Sequence, residues 1–327
     1  MTLTDAFRAR RRIAPHVCRT PLVRSAWLSD LAGTTVSLKL ESLQVSNSFK
    51  SRGAFNAVIA RLERRGAVPA SLVTASAGNH GRALAAAAET FGVPLVVFTP
   101  TDAPQSKLSA IRRHGAELRA DARDYDEAER LAKAFAREAG AEFISPYNDP
   151  DVIAGAATIA IEVAEDAPGV GALVVPIGGG GLVSGIAMAA KAIDPAVDVV
   201  GVEAAASCAF QTSVRAGRLV EIVPGRTIAD GLGGNPDPET ITFGLIQRFV
   251  ADIVTVGEED LSAAIVGLIE EEHLVAEGAG AAGVAALVGR QVAMRPYRHI
   301  VVIVSGANID RRLLASLLAE RLPPAPR

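Results

Sequence analysis

The run Ala172-Leu173-Val174-Val175-Pro176-Ile177-Gly178-Gly179-Gly180-Gly181-Leu182 decides how this chain folds. Its first six residues are apolar without alternation, which describes a strand covered on both faces, as in a parallel sheet between helices. The residues that follow, 183–193, are apolar with helical spacing. Strand, glycine turn and helix together make one β-α unit of an open α/β sheet. Four consecutive glycines exceed what a tight turn requires. At a strand-to-helix turn they let backbone N–H groups converge on an anion, and the helix N-terminus adds its positive end. The run therefore predicts a phosphate cup. It is not a dinucleotide fingerprint: counted from Gly178 the third glycine falls on Val183, and from Gly179 on Ser184. No Lys-Ser or Lys-Thr follows, as a P-loop demands. One feature does favour a dinucleotide, an acid at Glu203 closing the next strand.

The same pattern repeats outward. Apolar runs at 36–41, 72–76, 94–99, 197–203, 253–256 and 299–304 read as buried strands, and Ala-rich stretches of helical period follow them. In the stretch 125–139, Tyr125, Ala128, Leu131, Ala132, Phe135 and Ala139 share one helical face. Leu261, Ala264, Ile265, Leu268 and Ile269 do the same after Glu258. Strand alternating with helix predicts an α/β chain with mostly parallel sheets covered by helices. At 327 residues two lobes are expected. Residues 69–148 read as a small domain, and 1–68 with 149–327 as a large one, with the site between them. No repeat of fixed period occurs, and the one tail-like stretch is Pro323-Pro324-Ala325-Pro326.

Composition narrows the function. Hydrophobic residues make up 49% and aromatics 4%, which suits close helix–sheet layers. The net charge of −3, with no basic run among aromatics, argues against nucleic acid and against an anionic membrane. Arg8, Arg10, Arg11 and Arg12 read as a solvated helix face. Two cysteines, Cys18 and Cys208, make neither a disulfide framework nor a zinc site. No signal core and no bilayer-length apolar span is seen, so the cytoplasm is the expected compartment.

Three further constellations carry chemistry. Ser46-Asn47-Ser48-Phe49-Lys50-Ser51-Arg52-Gly53-Ala54 joins a buried-type strand to an apolar helix expected over 54–62. A lone lysine is by default a solvated charge. Near a helix start with little solvent, the dipole and desolvation both favour the free amine, which can form a Schiff base. Ser76-Ala77-Gly78-Asn79-His80-Gly81 lies between a strand and a helix expected over 82–90, and its N–H groups would hold a carboxylate. His80 reads as a capping or satisfied histidine rather than a base, since no acid is placed to orient it. Ser305-Gly306-Ala307-Asn308 ends the last strand, at the sheet edge where open α/β folds bind ligands. Its plain alternative is a helix cap, supplied by Asn308 or Asp310.

These pieces combine into a recognisable whole. The stretches SNSFKSRGA, SAGNHG, DPDVIAGAATIAIE, PIGGGGLVSGIA, TIADGL, EGAGAAGVAAL and SGAN run in order from about residue 14 to 309. In them the chain resembles the threonine dehydratase and serine racemase family of fold-type II pyridoxal-phosphate enzymes. The resemblance implies that Lys50 would carry the cofactor and act as the base on Cα, with Phe49 flanking the ring. Gly178, Gly179, Gly180, Gly181 and Leu182 would cradle the phosphate. Asn79 would bond the ring oxygen and Ser305 would face the ring nitrogen. Ser76, Ala77, Gly78, Asn79 and His80 would hold the substrate carboxylate. Gly231 and Glu277 would lie near the ring and the leaving group, and the phosphate would protonate the leaving hydroxyl. The implied reaction is loss of water and ammonia from a β-hydroxy amino acid such as L-threonine or L-serine, giving a 2-keto acid, by a homodimer. A regulatory domain beyond SGAN is not expected.

Three departures bear on this. Serine racemases carry a serine before the Gly-Asn-His, and this chain has Ala77, which favours elimination over racemisation. Members with a divalent-cation site pair a glutamate with an aspartate six residues on. Here Glu203 is present and the second position is Ala209, so no metal site is expected, with Glu203 a weak candidate. The usual Gly-Gln-Gly-Thr reads Gly155-Ala156-Ala157-Thr158. The alternatives are a racemase, a dehydratase for hydroxyaspartate or phenylserine, a dinucleotide oxidoreductase, and a cofactor-binding protein without turnover.

Overall fold

The structure, a computed structural model of the chain, describes residues 1–66, 68–293 and 297–320. The Pro-rich stretch 323–326 lies outside the described residues. Ten strands appear: β1 (Leu22–Ser25), β2 (Thr35–Lys39), β3 (Leu72–Ala75), β4 (Leu95–Pro100), β5 (Glu117–Ala122), β6 (Glu142–Phe143), β7 (Ala172–Pro176), β8 (Asp198–Ala204), β9 (Asp252–Val256) and β10 (His299–Ile303). The helices are α1 (Leu3–Ile13), α2 (Ala26–Ala32), α3 (Lys50–Arg65), α4 (Asn79–Thr90), α5 (Gln105–Arg112), α6 (Tyr125–Ala139), α7 (Pro150–Asp166), α8 (Gly181–Ile193), α9 (Ala209–Ala216), α10 (Thr242–Phe249), α11 (Glu258–Glu270), α12 (Gly278–Val288) and α13 (Arg311–Glu320).

The strands form two sheets. The larger runs β1-β2-β10-β7-β8-β9 and the smaller β5-β4-β3-β6. Every pairing is parallel except β1 with β2. The central strands are largely apolar on both faces because helices cover both. One core cluster puts α11 and α12 against β10, β7 and β8, and another puts α7 and α8 on the opposite face. The small sheet is covered by α3 and α4 on one side and α6 on the other.

Local chemistry sets the helix ends. Asp124 caps α6 by accepting from Glu127 N at 2.8 Å, and Gly140 ends it at φ 63°. Asp149 caps α7 through Asp151 N and Val152 N, with Pro150 in the first turn where its missing N–H costs nothing. Two expected starts lie too late. Helix α3 begins at Lys50 and α4 at Asn79, because Arg52 N bonds Phe49 O and Arg82 N bonds Gly78 O. Both functional stretches thus enter the first helical turn. The arginines of α1 are not all a solvated face: Arg10 pairs with Glu165 on α7 and Arg12 with Glu63 on α3.

Directly after Lys50 lies a buried ion cluster that the sequence did not announce. Arg52, Glu41, Lys39 and Glu162 are each at most 5% exposed. Arg52 donates to both oxygens of Glu41 at 2.8 Å, and to Glu162 at 2.6 and 2.9 Å. Lys39 donates to Glu162 at 2.6 Å and to the Thr20 carbonyl at 2.7 Å. Two cations and two carboxylates cancel, and polar partners complete them. That is the condition under which buried charge is tolerated. The cluster ties β2, α3 and α7 together. Thr158 accepts from Arg52 there, while Ala156 and Ala157 are simply packed in apolar surroundings.

Candidate active site

Four chain segments meet at the C-terminal edge of the large sheet. The first is the turn before Lys50. Ser46 and Asn47 take φ of 62° and 58°, a left-handed pair uncommon for residues with a side chain. The turn is held from the far end of the chain. Phe49 N donates to Ser305 O at 3.0 Å, Ala307 N donates to Asn47 O at 2.9 Å, and Ser48 bridges Gly306. Lys50 therefore stands where β2 and β10 end side by side. Its Nζ donates to Pro146 O at 2.8 Å and lies 4.9 Å from the Phe49 ring centre. Desolvation lowers its pKa from the usual 10.5 to about 8, against the pull of Glu277.

The second segment is the glycine run. Gly180 takes φ 85° as the cap of α8. The N–H groups of Gly178, Gly179, Gly180, Gly181 and Leu182 have no acceptor among the described residues. Five such donors at a helix N-terminus fit a phosphate. The absence of side chains is required by what lies behind them. A Cβ on Gly179 would overlap the Tyr147 ring, one on Gly180 would lie 2.8 Å from Thr242 Oγ1, and one on Gly178 would lie 2.7 Å from Gly231 O. Tyr147 follows Pro146, whose carbonyl holds Lys50, so cup and lysine share one support. Thr242 bonds Gly179 O at 3.0 Å.

The third segment, 76–80, turns into α4. Gly78 N donates to Ser76 Oγ at 3.2 Å, and Ala77 supplies only a methyl. Asn79 donates to Glu277 Oε1 at 2.5 Å. Burial and Asp230 raise the Glu277 pKa to about 7. His80 is 2% exposed, with its ring against the Ile144 backbone. Burial and then the charge of Lys50 push its pKa down to about 3, so the ring is neutral.

The fourth segment closes the site. Ser305 is 4% exposed with its Oγ 3.4 Å from Ala279 O, and Gly231 packs on Ala279. Asp310 caps α13 through Arg312 N and Leu313 N, so Asn308 is released from that task. Direct contacts thus link Phe49 to Lys50 and Ser305, Asn79 to Glu277, and Gly178 to Gly231, whereas Glu203 lies apart from them. Its carboxylate accepts from Phe210 N at 2.8 Å and Gln211 N at 2.7 Å, at the start of α9, and burial raises its pKa to about 7. It is committed to a helix end, which also removes it as a ribose-binding acid. Among the described residues no group of three or more His, Cys, Asp or Glu is placed to hold a metal. Pro146 and Thr242 were not foreseen. A lone proline in a loop and a lone threonine at a helix start carry no signal that separates them from ordinary turn and capping residues.

The cleft holds an amine of lowered pKa, five free N–H donors at one helix start and a second, polar helix start beside them. Residues 13–306 match the family model described as pyridoxal-phosphate dependent enzyme. The L-threonine ammonia-lyase of Thermotoga maritima is 39% identical over 324 residues, 98% of this chain and 79% of that protein. Maize serine racemase superposes with a TM-score of 0.90 at 32% identity, covering 98% of this chain and 97% of that one. The processed form of threonine deaminase isoform 2 from Solanum lycopersicum does so with 0.89 at 30%, covering 98% and 87%. No described helix is long and apolar enough to cross a membrane. The phosphate cup, the lysine beside it and these likenesses lead to one conclusion: this chain belongs to the family of pyridoxal-phosphate dependent enzymes.

Proposed function

We propose that this protein is an ammonia-lyase that converts a β-hydroxy amino acid, L-threonine or L-serine, to a 2-keto acid and ammonia. The observation that carries the reading is the placement of the Lys50 amine between two helix starts, one lined by free N–H groups and one by Ser76, Ala77, Gly78, Asn79 and His80. When bound, pyridoxal phosphate supplies the electron sink that makes the Cα proton of an amino acid acidic. The residues 178–182 hold its phosphate through backbone donors. Lys50 is the attachment point and the base at Cα, and a pKa near 8 leaves an appreciable fraction as free amine at neutral pH. Phe49 would flank its ring, Asn79 would donate to the ring oxygen, and Ser305 would face the ring nitrogen. The α4 start binds the substrate carboxylate. Gly231 would lie near the ring and Glu277 near the leaving group. Ala77 has no proton to give, which favours elimination over inversion at Cα.

Residues 69–148 form the small lobe, and 1–68 with 149–327 the large one. The four-stranded sheet, drawn wholly from residues 72–143, supports this division. The working unit is a homodimer of the cytoplasm, consistent with two free cysteines. Its ligands are small molecules, not nucleic acid.

Keto-acid release is measured with the cofactor-loaded protein on L- and D-serine, L-threonine, 3-hydroxyaspartate and phenylserine, beside Lys50→Ala. Release that the variant abolishes supports the reading and names the substrate. No release from any substrate, with cofactor visibly bound, refutes it, and inversion of L-serine without keto acid would replace it with a racemase.

A further inference from the structure

Asn79 can meet a cofactor's ring oxygen with either end of its amide, because oxygen and nitrogen have nearly the same size. Only the nitrogen end donates. The structure contains the device that decides which end is offered. Arg82, on α4 and one turn past Asn79, donates from Nη1 to Asn308 Oδ1 at 2.6 Å. A guanidinium has donors only, so the oxygen of Asn308 must face it. The nitrogen of Asn308 is thereby turned the other way, where it donates to Ser46 O at 2.9 Å and to Asn79 Oδ1 at 2.7 Å. With its oxygen taken, Asn79 presents Nδ2 to the site, and that atom is the one that reaches Glu277. The direction of every bond follows from Arg82, which cannot reverse.

We propose that Asn308 is a positioning residue that fixes the amide polarity of Asn79, with Arg82 setting the direction, so that a donor faces the cofactor ring. This rests on the reading above that Asn79 meets the ring oxygen. The same amide nitrogen holds the carbonyl of Ser46, in the left-handed turn four residues before Lys50. One side chain from the far end of the chain therefore aligns both the lysine turn and the ring contact.

The discriminating variant is Asn308→Asp. A carboxylate still accepts from Arg82 but has no donor, so an oxygen opposes both Ser46 O and Asn79 Oδ1. Asn79 then turns its own nitrogen toward residue 308 and its oxygen toward the ring. The full chain is titrated with pyridoxal phosphate, following affinity and the absorption maximum of the bound cofactor, with thermal melting of the cofactor-free protein alongside. The expected result for Asn308→Asp is binding weaker by roughly ten-fold or more, with a displaced absorption maximum. Arg82→Lys, which keeps a donor, is expected to retain the parent's maximum. If the Asp variant does not fold, Asn308→Ala carries the test with the same optical readout. An Asp or Ala variant that binds the cofactor with the parent's affinity and absorption overturns the proposal, whatever its melting point. If the parent protein itself takes up no cofactor, or Lys50→Ala shows the parent's bound absorption, it is the underlying reading that fails.

Discussion

Replacing Arg52 with Met tests the ion cluster beneath the lysine. Methionine keeps much of the arginine's length and apolar stem but none of its charge. The parent cluster is neutral, with Arg52 and Lys39 against Glu41 and Glu162. The variant leaves two carboxylates facing one ammonium, all at most 5% exposed. Removing one partner of a buried ion pair costs about 3–5 kcal/mol, because the other charge stays behind without compensation. For a chain of this size that lowers the melting temperature by roughly 4–7 °C. Arg52→Met together with Glu41→Gln restores neutrality, with Lys39 still paired to Glu162. The double variant is therefore expected to recover at least half of the loss. Melting curves and denaturant titrations of the parent and both variants measure this. A double variant no more stable than the single one refutes the charge argument. The loss would then come from packing alone.

Three further outcomes follow from the site. Gly179→Val pushes a branched side chain into the Tyr147 ring; overpacking of that kind costs about 1–3 kcal/mol, and cofactor uptake followed by absorbance should fall with it. Parent-like uptake would remove the glycine run from phosphate binding. The rate at which cofactor-free protein captures pyridoxal phosphate should rise with pH and bend near 8, where Lys50 loses its proton, since only the free amine attacks; a bend near 10 would mean a solvated lysine. Exhaustive chelation of divalent cations should leave activity and melting unchanged, because Glu203 is already bonded to two backbone N–H groups of α9 and Ala209 has no side-chain ligand to offer; a loss restored by magnesium or calcium would show that Glu203 leaves the helix to bind metal.

The parallel strands were legible because they are buried on both faces. All seven expected runs became strands, shifted at their ends by one or two residues. The three strands that were missed lie at or near sheet edges and lack that signature. β1 (Leu-Val-Arg-Ser) and β5 (Glu-Leu-Arg-Ala-Asp-Ala) mix polar and apolar residues, and β6 has two residues. Their pairing is decided by neighbours distant in sequence, not by their own composition. At the site, glycines and the lysine announce themselves because backbone geometry and chemistry demand those residue types. The supports do not. Tyr147 under the cup, Thr242 beside it and the Arg82–Asn308 pair act through tertiary contacts with partners distant in sequence. Ion pairing behaves the same way. Nothing local marks Glu41 and Glu162, 121 positions apart, as partners of one arginine.

The pairing of β2 with β10 imposes an order on how the molecule is made. The small sheet is complete once residue 143 has been synthesised, and it can form while the rest of the chain is still emerging. The large sheet cannot. Its second strand waits for its neighbour, 264 residues later (299 minus 35), and so do the carbonyl of Ser305 and the side chain of Asn308 that hold the lysine turn. At ribosomal speeds that interval is roughly 10–50 s. During it Lys50 is on a nascent chain but not in a site. The reactive amine is thus assembled last, after the small lobe is in place, so a chain cut short before β10 carries the lysine without the means to use it.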